Sequence, residues 1–359
     1  LSLHDALPIL ELAKQAEGMT SPNPLVGCVV TDEFDNVIST GYHKKCGENH
    51  AERDALLKIQ KGEGETLYVN LEPCSHYGKT PPCTDIIIEK GIKRVIIGMI
   101  DPNPIVSGQG IKKLKSAKIE VITGILESQC RELNKIFIKN QLQNKPYITI
   151  KTAITLDGKI SAKTGSSKWI TDEYSRYLVH KMRNKYDAVL TSSRTIIADN
   201  PSYTCRIKNG RTPVRIVIDS ELTSPSNSQI YNDNAGLVYI VTKKGLTKKQ
   251  KEQYPNNIKI IECPEKNNHV DIEKAMDIIY EKGITSILIE AGGILNKTFI
   301  ENRIVDDIYI YTAPKILGDE KGYGFVYGFD RKEISECNNL SIKSVKKLKN
   351  DILIYGKFV

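Results

Sequence analysis

The sequence predicts an α/β protein built from two domains, and three observations support this. Apolar runs rich in Val and Ile alternate with helical patterns along the chain, as in a sheet covered by helices. The chain has 359 residues, a length that favours two domains with a core each. A polar stretch at 141–145 interrupts the alternation and is followed by Pro146. We therefore predict one domain over 1–145 and a second over 146–359.

The first domain is predicted to hold four strands and five helices. Apolar, β-branched runs predict strands at 25–31, 66–71, 94–100 and 120–125. Helical patterns predict helices at 11–16, 51–59, 84–89, 110–117 and 126–141. The opening residues 1–9 have no basic start and are broken by His4 and Asp5. We therefore expect no signal peptide there.

In the second domain the same alternation resumes after Pro146. Strands are predicted at 147–155, 188–192, 214–219, 237–242, 258–262, 286–290 and 307–313. Helices are predicted at 172–185, 271–282 and 294–302. The C-terminal segments 340–348 and 351–358 are expected to form a strand pair joined at Lys349 and Asn350.

Composition excludes several classes of protein. No run approaches the ~18 consecutive apolar residues that cross a bilayer, so we expect no membrane partner. The net charge of +8 is spread along the chain, which argues against a nucleic-acid partner and suits small anionic substrates. Eight cysteines in a chain of this length do not indicate a disulfide scaffold. They indicate a reducing cytoplasm, in which grouped cysteines bind metal.

The most informative residues of the first domain are one histidine and two cysteines. His50 stands at a helix start, Cys74 follows a strand, and Cys83 opens the next helix. One imidazole and two thiolates suit tetrahedral zinc whose fourth position is left to water, the arrangement of a catalytic site. Glu52, two residues beyond the histidine, is placed to carry the proton of that water.

Two other interpretations of these residues stay open at this point. The cysteines could be plain buried thiols, with the histidine capping a helix. A structural zinc could also take a fourth ligand from His76 or Cys46. That second arrangement would leave Glu52 without a role.

A His-x-Glu followed by Pro-Cys and a later Cys is the signature of zinc deaminases. Nucleoside and nucleic-acid deaminases have two residues between their cysteines, whereas eight intervene here, at 75–82. This loop, with Ser-Pro-Asn-Pro at 21–24 and Asp-Pro-Asn-Pro at 101–104, closely resembles the bifunctional riboflavin-biosynthesis deaminase/reductases. The resemblance runs from about Leu10 to the C-terminus. It implies a cytidine-deaminase-like α/β/α domain followed by a dihydrofolate-reductase-like α/β domain.

In that family the first domain removes an amino group from a phosphoribosylated diaminopyrimidinone. The resemblance implies that His50, Cys74 and Cys83 bind the zinc and that Glu52 is catalytic. It also implies substrate contacts, which fall on Asn23, His76, Lys79, Asp101 and Asn103. The loop 75–82 is expected to bind the ribose phosphate at the rim of the site. Asn23, Asp101 and Asn103, which lie in loops bounded by prolines, are expected to contact the edge of the pyrimidine ring.

For the second domain, the junction 290–294 carries glycines where a phosphate could approach a helix start, but no Gly-x-Gly-x-x-Gly fingerprint. The segments 155–159, 167–171 and 198–201 resemble the reductase half of the same family, which uses NADPH. The implied cofactor contacts are Ala153, Trp169, Thr195, Asp199, Ser220, Gly292, Gly293, Ile294, Leu295, Asn296, Lys297 and Thr298. The implied substrate contacts are Ser167, Arg183, Tyr203, Arg206 and Glu290. Two of these, Arg183 and Arg206, are expected to bind the substrate phosphate through bidentate hydrogen bonds. An exposed arginine on a helix, such as Arg183, is more commonly just solvated.

The sequence thus predicts a cytoplasmic, homo-oligomeric enzyme of riboflavin biosynthesis that uses Zn²⁺ and NADPH. It would deaminate 2,5-diamino-6-(5-phosphoribosylamino)pyrimidin-4-one and then reduce the ribose to give 5-amino-6-(5-phosphoribitylamino)uracil. Two rivals remain at this stage. One is a nucleic-acid adenosine deaminase with an accessory domain, and the other a non-catalytic regulatory protein on an old enzyme fold.

Overall fold

The computed structural model of the chain describes residues 3–77 and 81–359, with side chains from residue 8 onward. The chain divides into two compact units, Leu1–Asn144 and Lys145–Val359. Each unit is an α/β structure with its own sheet. Within the described residues, no helix has both the length and the apolar character needed to span a membrane.

The described residues of the first unit form five strands and six helices. In chain order they are α1 (Leu3–Lys14), β1 (Gly27–Thr31), β2 (Val37–Tyr42), α2 (Ala51–Leu56), β3 (Thr66–Leu71), α3 (Cys83–Lys90), β4 (Arg94–Met99), α4 (Gln109–Ser116), β5 (Glu120–Thr123), α5 (Glu127–Leu133) and α6 (Lys135–Gln143). The sheet order is β2-β1-β3-β4-β5. Strand β1 runs antiparallel to both neighbours, whereas β3, β4 and β5 are parallel, with Leu71 opposite Met99. The carboxyl ends of β3 and β4 therefore meet at one edge of the sheet.

Strands β1 and β3 are buried along their whole length, which explains why they read as continuous apolar runs. Their one polar interruption, Asn70, is fully buried and is bonded to the chain before β1. Its Oδ1 accepts from the Gly27 N–H at 2.8 Å, and its Nδ2 donates to the Leu25 carbonyl at 2.8 Å. Because both polar atoms of this buried amide are hydrogen-bonded, Asn70 stabilises the attachment of the segment before β1 to β3.

The first helix begins earlier than the predicted 11–16. Helix α1 begins at Leu3, and Ile9 is only 2% exposed. A Cβ on Gly27 would lie 2.1 Å from the Ile9 carbonyl oxygen, so only glycine allows α1 to pack this closely on β1.

The helix predicted over 126–141 is two helices, which meet at Asn134. The Asn134 side chain is buried, accepts from the Leu25 N–H at 2.8 Å and donates to the Leu25 carbonyl at 3.0 Å. It therefore holds α5 and α6 to the start of the sheet. Strand β2, at the sheet edge and exposed at Val37 and Ile38, was not predicted, because half of it lacks a buried face.

The second unit contains a larger sheet. In chain order its elements are β6 (Tyr147–Thr155), β7 (Lys159–Ser161), α7 (Glu173–Lys185), β8 (Ala188–Ser192), α8 (Ser193–Asp199), β9 (Val214–Ile218), α9 (Gln229–Asn232), β10 (Val238–Lys243), α10 (Lys248–Glu252), β11 (Ile258–Cys263), β12 (Glu265–Lys266), β13 (His269–Val270), α11 (Ile272–Glu281), β14 (Ser286–Ile289), α12 (Gly293–Glu301), β15 (Asp307–Ala313), β16 (Tyr323–Gly324), β17 (Leu340–Leu348) and β18 (Asp351–Phe358). A 3-10 turn occupies Ile334–Glu336.

Nine of these strands form one sheet in the order β11-β10-β9-β8-β14-β6-β15-β18-β17. The strands from β11 to β15 are parallel, and the C-terminal pair β18 and β17 is added antiparallel at the edge. Ile289 of β14 lies opposite Ile150 of β6, so Glu290 is level with Lys151. Short elements such as α8, β7 and β16 were not predicted, because segments this short carry too few residues to show a period.

Candidate active sites

The first site lies where the carboxyl ends of β3 and β4 meet the start of α2. His50 is the residue before α2, Cys74 lies in the loop after β3, and Cys83 is the first residue of α3. Nδ1 of His50 is 3.5 Å from Sγ of Cys74 and 3.3 Å from Sγ of Cys83. The three potential ligand atoms all lie within 4.8 Å of one another.

This arrangement fits zinc. With Zn–S bonds of about 2.3 Å and Zn–N bonds of about 2.0–2.1 Å, a tetrahedral ion separates a sulfur from a nitrogen by roughly 3.6 Å. The Cys74 thiol is suited to bind as a thiolate, because hydrogen bonds with Cys83 and His50 lower its pKa to about 4. The four-ligand interpretation is not supported, since neither Cys46 nor His76 joins this group in the described part of the chain.

Glu52 is the second residue of α2 and lines a cavity of about 360 Å³ together with His50 and Cys74. Its side chain is 3% exposed. Burial, and next the negative charge on Cys74, raise the pKa of this carboxyl to about 7. A carboxyl with this pKa gains and loses a proton readily near neutral pH.

Of the residues predicted to contact the substrate, Asn23, His76 and Asp101 line the cavity, and Asn103 does not. The side-chain oxygen of Asn103 instead accepts from the Ile105 N–H at 3.0 Å, while the backbone N–H of Asn103 donates to the Asp101 carboxylate at 2.8 Å. Asn103 therefore forms the turn that positions Asp101 at the cavity. Lys79 and Thr80, predicted at the rim, lie outside the described residues.

Several residues of this cavity wall were not predicted from the sequence, among them His43 and Glu72. His43 is buried beside Asn23, and the Glu72 carboxylate accepts from four backbone N–H groups. Glu72 lies directly before Pro73 and Cys74, and that adjacency is the one signal that could have indicated it. A lone histidine after a strand carries no comparable signal.

The second site is a cavity of about 520 Å³ at the carboxyl ends of β6, β8 and β14, where ligands bind in open α/β sheets. Ten of the residues predicted from sequence line it. They are Ala153, Ser167, Thr195, Asp199, Tyr203, Glu290, Gly292, Gly293, Ile294 and Leu295. Two of them are joined directly, because the Ser167 hydroxyl donates to the Asp199 carboxylate at 3.0 Å.

A charged cluster forms one wall of this second cavity. Arg183 pairs with Glu290 through two parallel bonds, Nε to Oε1 at 2.6 Å and Nη2 to Oε2 at 3.0 Å. Lys151 Nζ, which sequence reasoning missed, is 3.6 Å from the same carboxylate. Burial alone would raise the pKa of Glu290, but the charges of Arg183 and Lys151 outweigh it and lower the pKa to about 2. Glu290 is therefore ionised at neutral pH.

Several predicted contacts of the second site are placed differently from the prediction. Arg183 is not a solvated helix arginine, because its side chain is only 13% exposed and is paired with Glu290. Arg206 is exposed and does not line the cavity. Trp169 is 63% exposed in a neighbouring pocket, where the Arg176 guanidinium lies 4.6 Å from the centre of its ring.

The remaining predicted cofactor residues also lie off the cavity. The Ser220 hydroxyl accepts from the Val270 N–H at 3.1 Å. Only the first turn of α12 reaches the cavity wall, so Asn296, Lys297 and Thr298 point elsewhere. Asn296 is buried and donates to the Phe325 carbonyl at 2.8 Å, Lys297 pairs with Glu301 at 3.5 Å, and the Thr298 hydroxyl donates to the Ile294 carbonyl at 3.1 Å.

Two protein families match this chain. The cytidine and deoxycytidylate deaminase zinc-binding region matches residues 6–99, and the RibD C-terminal domain matches residues 146–354. Fold and sites together therefore define a zinc deaminase joined to a reductase.

The chain belongs to the RibD family of riboflavin biosynthesis proteins. The riboflavin biosynthesis protein RibD of Actinobacillus pleuropneumoniae is 39% identical over 347 residues, which cover 96% of this chain and 92% of that protein. The protein of the same name from Aquifex aeolicus is 40% identical over 356 residues, covering 97% and 96%.

Solved structures give the same result. The crystal structure of a diaminohydroxyphosphoribosylaminopyrimidine deaminase/5-amino-6-(5-phosphoribosylamino)uracil reductase from Thermotoga maritima has a TM-score of 0.89 at 35% identity, over 99% of both chains. A structure of Acinetobacter baumannii RibD has a TM-score of 0.88 at 30% identity, covering 99% of this chain and 98% of that one. Family membership confirms the predicted deaminase and reductase activities, with zinc and NADPH as cofactors. Nothing in these findings favours the nucleic-acid deaminase.

Proposed function

We propose that this chain converts 2,5-diamino-6-(5-phosphoribosylamino)pyrimidin-4-one to 5-amino-6-(5-phosphoribitylamino)uracil in two steps. The unit before Lys145 removes the amino group by hydrolysis, and the unit from Lys145 onward reduces the ribose. One observation carries the proposal: a cavity holding a His-Cys-Cys cluster beside a buried glutamate is present in the same chain as a reductase cavity. The Thermotoga maritima relative is named as a deaminase of the diaminohydroxyphosphoribosylaminopyrimidine and a reductase of 5-amino-6-(5-phosphoribosylamino)uracil, which are the substrates of these two steps.

In the deaminase site, His50, Cys74 and Cys83 would hold the zinc. Bound zinc supplies activation of a water molecule at neutral pH. Glu52 takes up a proton at its carboxylate and delivers it to the nitrogen that leaves, a transfer for which a pKa of about 7 is suited. Because Glu52 is buried, bulk water is excluded from the carboxyl group that carries this proton.

Polar residues of the cavity wall would hold the substrate. Asn23 and Asp101 offer polar groups to the edge of the ring. His76 lines the outer part of the cavity and is proposed to bind the ribose phosphate together with Lys79, which lies outside the described residues.

In the reductase site, NADPH supplies the hydride. Gly292 and Gly293 open α12 on the cavity wall, where backbone N–H groups at a helix start suit an anionic part of the cofactor. Glu290 is held ionised and fixed in orientation by Arg183, and Lys151 presents a positive charge beside it. These groups are proposed to hold the substrate in the orientation that hydride transfer requires.

We further propose a cytoplasmic homo-oligomer without a nucleic-acid partner. All eight cysteines are free, in keeping with a reducing compartment. Exposed apolar side chains on the edge strand β17, Ile342 and Val345, support self-association. Sedimentation of the purified chain tests the oligomeric state, and a single monomeric species would contradict it.

The proposed reaction is tested by incubating the zinc-loaded chain with the diamino compound, with and without NADPH, and following products by mass spectrometry. Without NADPH, only the deaminated compound should form. With NADPH, the product should also gain two hydrogens. Absence of deamination would overturn the first activity, and deamination without reduction would overturn the second.

A further inference from the structure

His43, which follows β2, is a buried member of the deaminase cavity that the proposed chemistry does not use. The residue is 2% exposed, and its backbone N–H donates to the Val26 carbonyl at 2.9 Å. Both nitrogens of its ring have partners. Nδ1 is 3.0 Å from the Asn49 carbonyl oxygen, and Nε2 is 3.0 Å from Nδ2 of Asn23.

These two contacts fix the hydrogen-bonding pattern of the ring. A carbonyl oxygen only accepts, so Nδ1 must carry the hydrogen. The ring is buried, which favours the neutral imidazole, and in that form the other nitrogen has a free lone pair. Nε2 is therefore an acceptor.

An acceptor at this point selects one of the two orientations of the Asn23 amide. The amide must turn its NH₂ group toward His43, because the opposite orientation would set two lone pairs against each other. Oδ1 of Asn23, which has no protein partner in the described part of the chain, is thereby left for the cavity that Asn23 lines.

We infer that His43 is a positioning residue, which holds the Asn23 amide so that its Oδ1 accepts from an N–H group at the edge of the substrate ring. The inference rests on the proposed function, since it assumes that an aminopyrimidine occupies this cavity. Without the histidine lone pair, the amide would present its oxygen only part of the time, and substrate binding would weaken while the proton carrier Glu52 stays in place.

The test is a double-mutant cycle on the zinc-loaded, full-length enzyme, with the diamino compound as the probe and ammonia release as the measurement. His43→Phe removes the acceptor and should raise KM about 10-fold, with kcat within about 3-fold of wild type and zinc content unchanged. Asn23→Ala should raise KM at least as much. The double variant should be no worse than Asn23→Ala alone, because His43 acts only through Asn23.

Two further variants complete the design. His43→Gln places an amide oxygen that can again accept from Asn23, and it should return KM close to the wild-type value even if His43→Phe does not fold. His269→Phe changes an exposed histidine of the other unit and should have no effect.

Additive effects of His43→Phe and Asn23→Ala would overturn the inference. A folded, zinc-loaded His43→Gln enzyme as impaired as Asn23→Ala would also overturn it. Failure of the wild-type enzyme to release ammonia would be a different result, because it contradicts the proposed function and the inference together.

Discussion

Two buried glutamates, one in each unit, have pKa values shifted in opposite directions. Glu52 is packed beside the Cys74 thiolate, so burial and a like charge raise its pKa to about 7. Glu290 is equally enclosed, but two cations touch it and its pKa falls to about 2. The first carboxyl is suited to move a proton, and the second to remain a fixed negative charge.

At this residue scale, the zinc ligands can be tested by removing one thiol. Cys83→Ser should lower the zinc content well below one ion per chain, because the cluster found in the described residues offers three protein ligands and the variant loses one of them. Cys130→Ser is the matched control, since Cys130 is equally buried but lies outside the cluster. Elemental analysis of both variants decides the point, and full zinc retention in Cys83→Ser would remove this residue from the site.

The Glu290 pair predicts how stability depends on pH. A carboxyl whose pKa is lower in the folded state stabilises the fold above its unfolded pKa and loses that effect as the pH falls toward its folded pKa. Glu290→Gln should therefore cost about 3 kcal/mol at neutral pH, and the difference from wild type should shrink between about pH 4 and pH 2.

Urea unfolding across this pH range measures the effect, with the exposed Glu281→Gln as the control. A wild-type advantage over Glu290→Gln that stays constant down to pH 3 would contradict the ion pair.

Some site residues could be predicted from sequence and others could not. The cluster of His50, Cys74 and Cys83 was predictable because its residue types and order specify one chemistry. Lys151 was not, since it meets Glu290 only because β6 and β14 are neighbours in register. A single lysine in a strand shows nothing of that pairing.

At the scale of elements, the loop after β4 depends on Glu72. Its carboxylate accepts from the N–H groups of Asp101, Gly108, Gly110 and Ile111 at 2.9–3.2 Å. It thus fixes both ends of the loop that carries Asp101, and the start of α4, against the Cys74 segment. A buried carboxylate that accepts several backbone bonds is costly to remove.

Glu72→Ala should therefore destabilise the first unit by at least about 3 kcal/mol, because it leaves several buried N–H groups without an acceptor. Glu120→Ala, which removes an exposed partner of Arg94, should leave the unfolding midpoint nearly unchanged. Calorimetry of both variants gives the comparison, and equal melting temperatures would refute this role of Glu72.

Elements were predictable in proportion to their burial and length. Strands β3, β6, β8, β15, β17 and β18 have the predicted bounds, since alternating or continuous apolar runs identify them. The break at Asn134 was missed because its cause, a bond to Leu25, spans 109 residues of sequence.

At the scale of the whole molecule, each unit has its own sheet, core and cavity. A chain that begins at Asn144 should therefore fold, bind NADPH and reduce the deaminated compound without zinc, because the three zinc ligands lie before it. NADPH oxidation followed at its absorbance measures this. If the shortened chain is soluble but inactive while the full-length chain is active, the reductase depends on the first unit.

The order of the two reactions in one chain is tested most directly by NADPH oxidation in full-length Glu52→Gln. This change should keep zinc bound and slow deamination by about 10²–10⁴-fold. We expect the variant to oxidise almost no NADPH when given the diamino compound, and to oxidise it at the wild-type rate when given the deaminated compound. Wild-type oxidation with the diamino compound, or none with the deaminated one, would contradict a deaminase that feeds the reductase.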